Sequence, residues 1–213
     1  MTLLAESFTD VYSAALRGEH CHVIGSAGTA RLPVENWTRP ADDADRVVLG
    51  HCDGPTLDVG CGPGRMAEHL TRSGTAALGI DVVAEAVQQA RARGVAALER
   101  DVFEHLPGEG RWSTVLLADG NVGIGGDPRR LLQRSAQVLA PGGRIVVDLA
   151  PPGTGVETRM LRLRTRSAQS QPFVWSTVAA DRIGVTAAGL GLLVGFLGEV
   201  QDRWFAVLTK DAR

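Results

Sequence analysis

Apolar and polar positions change rhythm twice along this chain. From Phe8 to Leu16, the residues Phe8, Val11, Tyr12, Ala15 and Leu16 recur at helical spacing, and Gly18 closes the run. His22–Ile24 and Thr29–Leu32 then flank Gly25-Ser-Ala-Gly28, which predicts a hairpin. Residues 33–40 read as irregular, and Asp42, Asp43 or Asp45 starts a short helix carrying Val47, Val48 and Leu49. From Pro55 the pattern becomes regular. Short apolar strands at 56–59, 76–80, 95–98, 113–118 and 144–149 alternate with helices at 65–72, 83–93 and 129–139. The strands carry no polar alternation, as expected of strands buried on both faces, and glycine turns join them to the helices. That order predicts a parallel sheet with right-handed crossovers. The rhythm then changes again. Residues 151–172 are rich in Pro, Gly and Arg and read as an excursion over the carboxyl edge of the sheet. Residues 178–188 read as helix, and 190–200 with 203–209 flank Gln201-Asp202 as an antiparallel hairpin closing the sheet. The fold expected is α/β: a Rossmann-like three-layer sandwich whose seven-stranded, mostly parallel sheet ends in a C-terminal antiparallel hairpin.

Composition narrows the function. The chain has 213 residues, 44% hydrophobic and 22% charged, enough for one α/β domain. We read residues 1–54 as an N-terminal cap segment, 55–149 as a ligand-binding half, and 150–213 as the substrate-side excursion and closing hairpin. The formal charge of -2 argues against a protein that works by neutralising nucleic-acid phosphates. Cys21, Cys52 and Cys61 are widely spaced and odd in number, which fits a reducing compartment. The start MTLLAESFTD lacks the basic, long apolar character of a signal peptide, and the longest uncharged stretch, Ile183 to Gly198, is short for a membrane span. A cytoplasmic protein with no membrane or nucleic-acid partner is expected.

The chemistry sits in Leu57-Asp58-Val59-Gly60-Cys61-Gly62-Pro63-Gly64, a glycine run between a strand and a helix. Its glycines allow a tight turn and close approach of backbone to a ligand, at the strand edge where open α/β sheets bind ligands. Alone, such a loop also serves as a plain strand-to-helix turn. Two acids add to it. Asp81 ends the second strand, where a carboxylate can accept both hydroxyls of a ribose, and Val82 follows it. Asp101 follows the third strand, where it can accept from an adenine amine while the Val102 amide donates to a ring nitrogen. Each acid has a plainer role as a helix or turn cap.

Asp58 to Gly64 resembles the D-x-G-x-G-x-G signature of class I methyltransferases that use S-adenosylmethionine. Asp81 and Asp101 match that family's next two motif acids, Ala118-Asp119-Gly120-Asn121 its post-strand-4 segment, and Leu139-Ala-Pro-Gly-Gly-Arg144 its turn before strand 5. The resemblance runs from about Pro55 to Leu149. It implies that Gly60, Cys61, Gly62, Gly64 and Asp58 shape the loop beneath the cofactor's methionine part, with Asp58 near the amino group. Asp81 and Val82 would hold the ribose, Asp101 and Val102 the adenine, and Ala118 and Asp119 the sulfonium side. The implied activity is in-line methyl transfer to a small-molecule acceptor, yielding S-adenosylhomocysteine. Two alternatives stand beside it: a protein that binds the cofactor without transfer, as sensor or partner subunit, and a nicotinamide-dependent dehydrogenase, against which G-x-G-x-G spacing counts.

For a general base the candidates are His20, His22 and Asp119, each with a plain structural alternative. His20-Cys21-His22 lacks zinc-ligand spacing, so no metal is expected. His51, His69 and His105 read as structural or solvated, and a nucleophilic Cys61 is disfavoured. No Asn/Asp-Pro-Pro-aromatic motif follows the fourth strand, which argues against methylation of DNA bases or glutamine amides. Arg162, Arg164 and Arg166 alternate with Leu161, Leu163 and Thr165, a basic stripe that would hold an anionic acceptor or simply face solvent. Trp37, Phe173 and Trp175 lie in the two variable segments, where they would pack the core or form an aromatic wall for a flat acceptor.

Overall fold

In the computed structural model the described residues are 4–211, and residues 1–3 and 212–213 lie outside them. In chain order the first elements are β1 (Leu4–Glu6), α1 (Phe8–Leu16), β2 (His22–Gly25), β3 (Gly28–Arg31), α2 (Glu35–Thr38) and α3 (Asp43–Leu49). Next come β4 (Thr56–Val59), α4 (Arg65–Arg72), β5 (Ala77–Asp81), α5 (Ala84–Ala92), β6 (Ala97–Glu99), β7 (Trp112–Leu117), α6 (Pro128–Val138) and β8 (Leu139–Leu149). The last are β9 (Val156–Arg164), β10 (Ala168–Ser170), β11 (Phe173–Val178), α7 (Ile183–Ala187), β12 (Leu192–Val200) and β13 (Arg203–Lys210).

The main sheet has seven strands in the order β12-β13-β8-β7-β4-β5-β6. Its centre is parallel, and β13 and β12 add antiparallel members at one edge. This is the Rossmann-like sheet with a closing hairpin that the apolar periodicity predicts. Every residue of β4 is buried, and the main core gathers Leu57, Val115, Leu117, Ile145 and Val147 with Leu131 and Leu132 of α6. Asp127 caps α6 as expected, its side chain accepting from the Arg130 amide at 3.0 Å, with Pro128 at the first helical position. Pro141-Gly-Gly, expected as a turn before the strand, lies within β8. It forms a bulge early in β8, where the register against β7 shifts between Trp112 and Thr114.

A second sheet gives the outlying segments a structure that the periodicity only partly reveals. It has six strands, β1-β10-β9-β2-β3 with β11 also on β9. The predicted hairpin becomes β2 and β3, but the excursion is mostly strand: β9 pairs antiparallel with both β2 and β11. Residues 35–38, expected to be irregular, make one helical turn. The helix expected at 178–188 is shorter, because Val178 ends β11 and only Ile183–Ala187 is α-helical. Helix α1 joins the sheets. Val11 and Ala15 pack with Leu163 and Ala168 of the second sheet, while Leu16 packs with Val83 and Ala86 at the start of α5. Among the described residues no helix is long and apolar enough to cross a membrane.

Candidate functional site

A cavity of about 760 Å³ lies between the carboxyl edge of the main sheet and the inner face of the second sheet. That volume is within the range of small-molecule sites. Its floor comes from the strand ends. Asp58, Gly60, Cys61 and Gly62 line it from the β4 loop; Asp81 and Val82 from β5; Asp101 and Val102 after β6; Ala118 and Asp119 after β7. Every floor residue expected from the sequence is therefore there except Gly64. That glycine (φ +86) faces away, and a Cβ on it would meet Cβ of Ala90 at 2.8 Å. Its role is to let α4 start against α5.

Gly60 and Gly62 do line the cavity. A Cβ on Gly62 would meet nothing within 4 Å, and its amide donates to Asp81 Oδ2 at 3.0 Å. Asp81 Oδ1 accepts from the Val83 amide at 2.9 Å. The two bonds fix the carboxylate and leave roughly half of its about four lone-pair sites free. Burial raises the Asp81 pKa against the pull of those amides. Asn121 secures the loop from the side, its Nδ2 donating to the carbonyls of Val59 (2.8 Å) and Gly60 (2.9 Å). Asp101 Oδ1 accepts from the Phe103 amide at 2.9 Å, which orients it at the cavity rim.

Among the described residues, two buried polar atoms of the floor have no hydrogen-bond partner, Asp58 Oδ2 and Arg65 Nε. Burial, with Asp119 as a like-charged neighbour outweighing Arg65, pushes the Asp58 carboxyl up to about 7. Burial, then Asp58 and Asp81, hold the Cys61 thiol well above its ordinary pKa, so it stays a thiol and is no nucleophile.

Arg65 is the floor residue that the sequence reading passes over. It is the first residue of α4, where a cation opposes the helix dipole, and that misplacement is the signal that could have found it. The compensation is an ion cluster. Its Nη2 donates to both Asp119 oxygens at 2.7 and 2.6 Å, and its Nη1 to Asp45 Oδ2. Asp45 also accepts from Arg39 (2.7 Å) and Arg203 (2.5 Å), and Arg203 binds Asp148, which in turn accepts from the Asp119 amide at 2.6 Å. Burial alone would raise Asp45, but the Asp42 amide and the Arg65 guanidinium hold it below the usual carboxylate range. Asp119, expected as a free base or cofactor contact, is thus clamped by Arg65 while still lining the cavity. It sits at φ 53, a left-handed conformation that the cluster holds in place.

The roof is apolar and aromatic. Ring contacts join segments distant in sequence: Phe8 lies 4.8 Å from Phe173 and 5.5 Å from Tyr12, and Tyr12 lies 5.9 Å from Trp37. Tyr12, missed as a site residue, is the chain's only tyrosine. Burial, with Asp81 and Asp119 nearby, raises its pKa, so it stays a phenol. The candidate bases His20 and His22 do not line the cavity. Val23 of β2 faces Leu163 across the ladder and both line it, whereas His22 faces Arg164 on the opposite side of the sheet. The same alternation sends Arg162 and Arg164 outward, so the basic stripe belongs to the outer face. Of the expected aromatic wall, Trp37, Phe173 and Trp175 all line the cavity.

Residues 56–143 match the model of a methyltransferase domain family. Trans-aconitate 2-methyltransferase of Paracidovorax citrulli is 30% identical over 179 residues, spanning 80% of this chain and 67% of that protein. Ubiquinone biosynthesis O-methyltransferase of Serratia proteamaculans is 30% identical over 102 residues, 45% of this chain and 42% of that one. The fold is similar to that of a methyltransferase from Bacteroides fragilis solved with S-adenosyl-L-homocysteine. The TM-score is 0.83 at 24% identity, over 99% of this chain and 98% of the other.

Proposed function

The chain belongs to the class I S-adenosylmethionine-dependent methyltransferases, and from that premise we propose that it methylates a small-molecule acceptor seated between floor and roof. The floor fits such a cofactor. Asp58 Oδ2 is an acceptor and Arg65 Nε a donor, each without a partner, and together they suit an ammonium and a carboxylate. Asp81 keeps free lone pairs for hydroxyls, and Gly62 leaves open space above the loop. The unpartnered Asp58 oxygen is the single observation that most favours this reading, because an orphaned buried acceptor calls for a cationic donor. In this assignment Asp58, Gly60, Cys61 and Gly62 hold the methionine part, Asp81 and Val82 the ribose, Asp101 and Val102 the adenine. Ala118 and Asp119 close the sulfonium side.

When bound, the cofactor supplies a methyl group on a sulfonium, a leaving group that needs no acid. The chain's task is alignment, which can lower a barrier by about 7–11 kcal/mol where fit is good. Asn121 and Asp81 hold the glycine loop, and the Arg65 clamp sets Asp119 beneath the reacting edge. The apolar roof keeps water away from it. Parallel calorimetric titrations with S-adenosylhomocysteine and NAD test the proposal. S-adenosylhomocysteine should bind, and Asp81→Ala should weaken it by about 1.5–3 kcal/mol, the worth of a charge-assisted hydrogen bond. Binding of NAD alone, or an unchanged affinity in the variant, would remove this assignment.

A further inference from the structure

On the reading that the floor holds the cofactor, we infer that the acceptor is a flat, uncharged heteroaromatic molecule, stacked under the second sheet and methylated on a ring nitrogen. Three observations carry this. The first is the roof's surface. Phe8 and Tyr12 on α1, Trp37 on α2, and Phe173 and Trp175 on β11 present ring faces and edges from three separate segments. Rings favour stacked or edge-on partners, so this surface rewards a planar guest.

The second is charge. Among the described lining residues none of the three cations lies on α1, α2 or the second sheet, and two are engaged: Arg65 by Asp45 and Asp119, and Arg130 of α6 over the Phe103 ring at 4.1 Å. The third, Arg100, follows β6 on the adenine side. Arg162 and Arg164, which would suit an anionic acceptor, sit on the far face of β9. Under the roof an acceptor carboxylate would face the acids Asp58, Asp81 and Asp119, while Arg100, the lining cation without such a contact among the described residues, stands on the adenine side.

The third is proton traffic. Among the described lining residues there is no histidine. Asp119 is clamped by two bonds from Arg65, and the Tyr12 phenol is held protonated, so it is no base. With Asp58, Asp81 and Asp101 given to the cofactor's ammonium, ribose and adenine, an acceptor that must lose a proton before attack is left with no lining group among the described residues to take it. A ring nitrogen needs none. Its lone pair forms the new bond to the methyl carbon, the methyl–sulfur bond breaks, and that bond's electron pair stays on sulfur. The positive charge moves from sulfur to the ring, above the same acidic floor, and no proton moves.

The test titrates the full chain, with and without S-adenosylhomocysteine, with three probes: isoquinoline, 2-naphthol and trans-aconitate. Tryptophan fluorescence and calorimetry report binding. Release of S-adenosylhomocysteine from S-adenosylmethionine reports turnover. Both flat probes should bind and quench tryptophan emission, trans-aconitate should not, and isoquinoline should turn over at least tenfold faster than 2-naphthol. Trp37→Ala should weaken isoquinoline about tenfold with S-adenosylhomocysteine affinity unchanged, and Arg164→Ala should alter neither. Binding of trans-aconitate in preference to the flat probes, or equal affinity in Trp37→Ala, overturns the acceptor class. Faster turnover of 2-naphthol, or turnover of neither flat probe, overturns the ring-nitrogen assignment. Loss of S-adenosylhomocysteine binding to the unaltered chain overturns the cofactor reading instead, and the probe titrations without it still report on the roof.

Discussion

Asp58 couples the candidate site to pH. Its carboxyl is pushed up to about 7 by burial and by Asp119. The folded pKa exceeds the unfolded value of about 3.9, so the contribution to stability is greatest at low pH and falls as pH rises through 7. A cation bound beside it favours the ionised form, and binding must then release a proton below that pH. Affinity for S-adenosylhomocysteine should accordingly rise with pH to about 7 and then level, by at most tenfold per unit. Calorimetry in buffers of different ionisation enthalpy would show the proton released; Asp58→Asn should abolish both the release and the slope. Gly123 shows a purely steric constraint. A Cβ there would meet the Ser176 carbonyl at 2.1 Å and the Trp175 indole at 2.5 Å. Gly123→Ala should cost about 1–3 kcal/mol of stability by overpacking, read as a lower melting temperature. Sequence shows the floor acids well, because each lies at or within two residues of the end of a strand. It does not show which glycine does what. Gly62 and Gly64 stand two apart in one motif, yet one opens the cavity and the other seats a helix against Ala90.

At the scale of elements, the ion cluster is what holds segments together. Asp45 on α3, Arg65 on α4, Asp119 after β7, Asp148 on β8 and Arg203 on β13 meet in one buried network, with Arg39 at its margin. Its three acids and three arginines balance, which is what makes such burial tolerable. Removing one partner leaves the others uncompensated, so Arg65→Met should destabilise the fold by about 3–5 kcal/mol in urea unfolding. Asp45 stays ionised below the range in which an unfolded aspartate protonates. Its stabilisation is present above pH about 4 and is lost as pH falls towards its depressed folded value. Acid unfolding should therefore shift to higher pH in Arg65→Met; an unshifted midpoint would show that the cluster does not set acid stability. Helices and strands of residues 55–149 were legible because their periodicity is local. The cluster was not, since its members lie on five elements and each, taken alone, reads as a cap or a surface charge.

Across the whole molecule, floor and roof differ in how sequence encodes them. The floor repeats one local device, a polar residue at the end of a parallel strand, so the motif acids locate it. The roof depends on contacts between residues as far apart as Phe8 and Phe173, whose rings lie 4.8 Å apart. Periodicity within either segment carries no information about that meeting, which is why the sequence shows only a hairpin and an excursion where the second sheet stands. The division has a thermodynamic consequence. A ligand at 100 times its dissociation constant stabilises the fold by about 2.7 kcal/mol. In a chain of this size that corresponds to a rise in melting temperature of roughly 5–10 °C. On the proposed reading S-adenosylhomocysteine contacts the floor and isoquinoline the roof, and effects that are independent add. The two ligands together should raise the melting temperature by close to the sum of their separate shifts. Trp37→Ala should remove the isoquinoline increment and keep that of S-adenosylhomocysteine, since Trp37 touches the roof ring Tyr12 and lies off the glycine loop. Loss of both increments in that variant would mean that the roof helps to form the floor, and that the two sheets bind as a single unit.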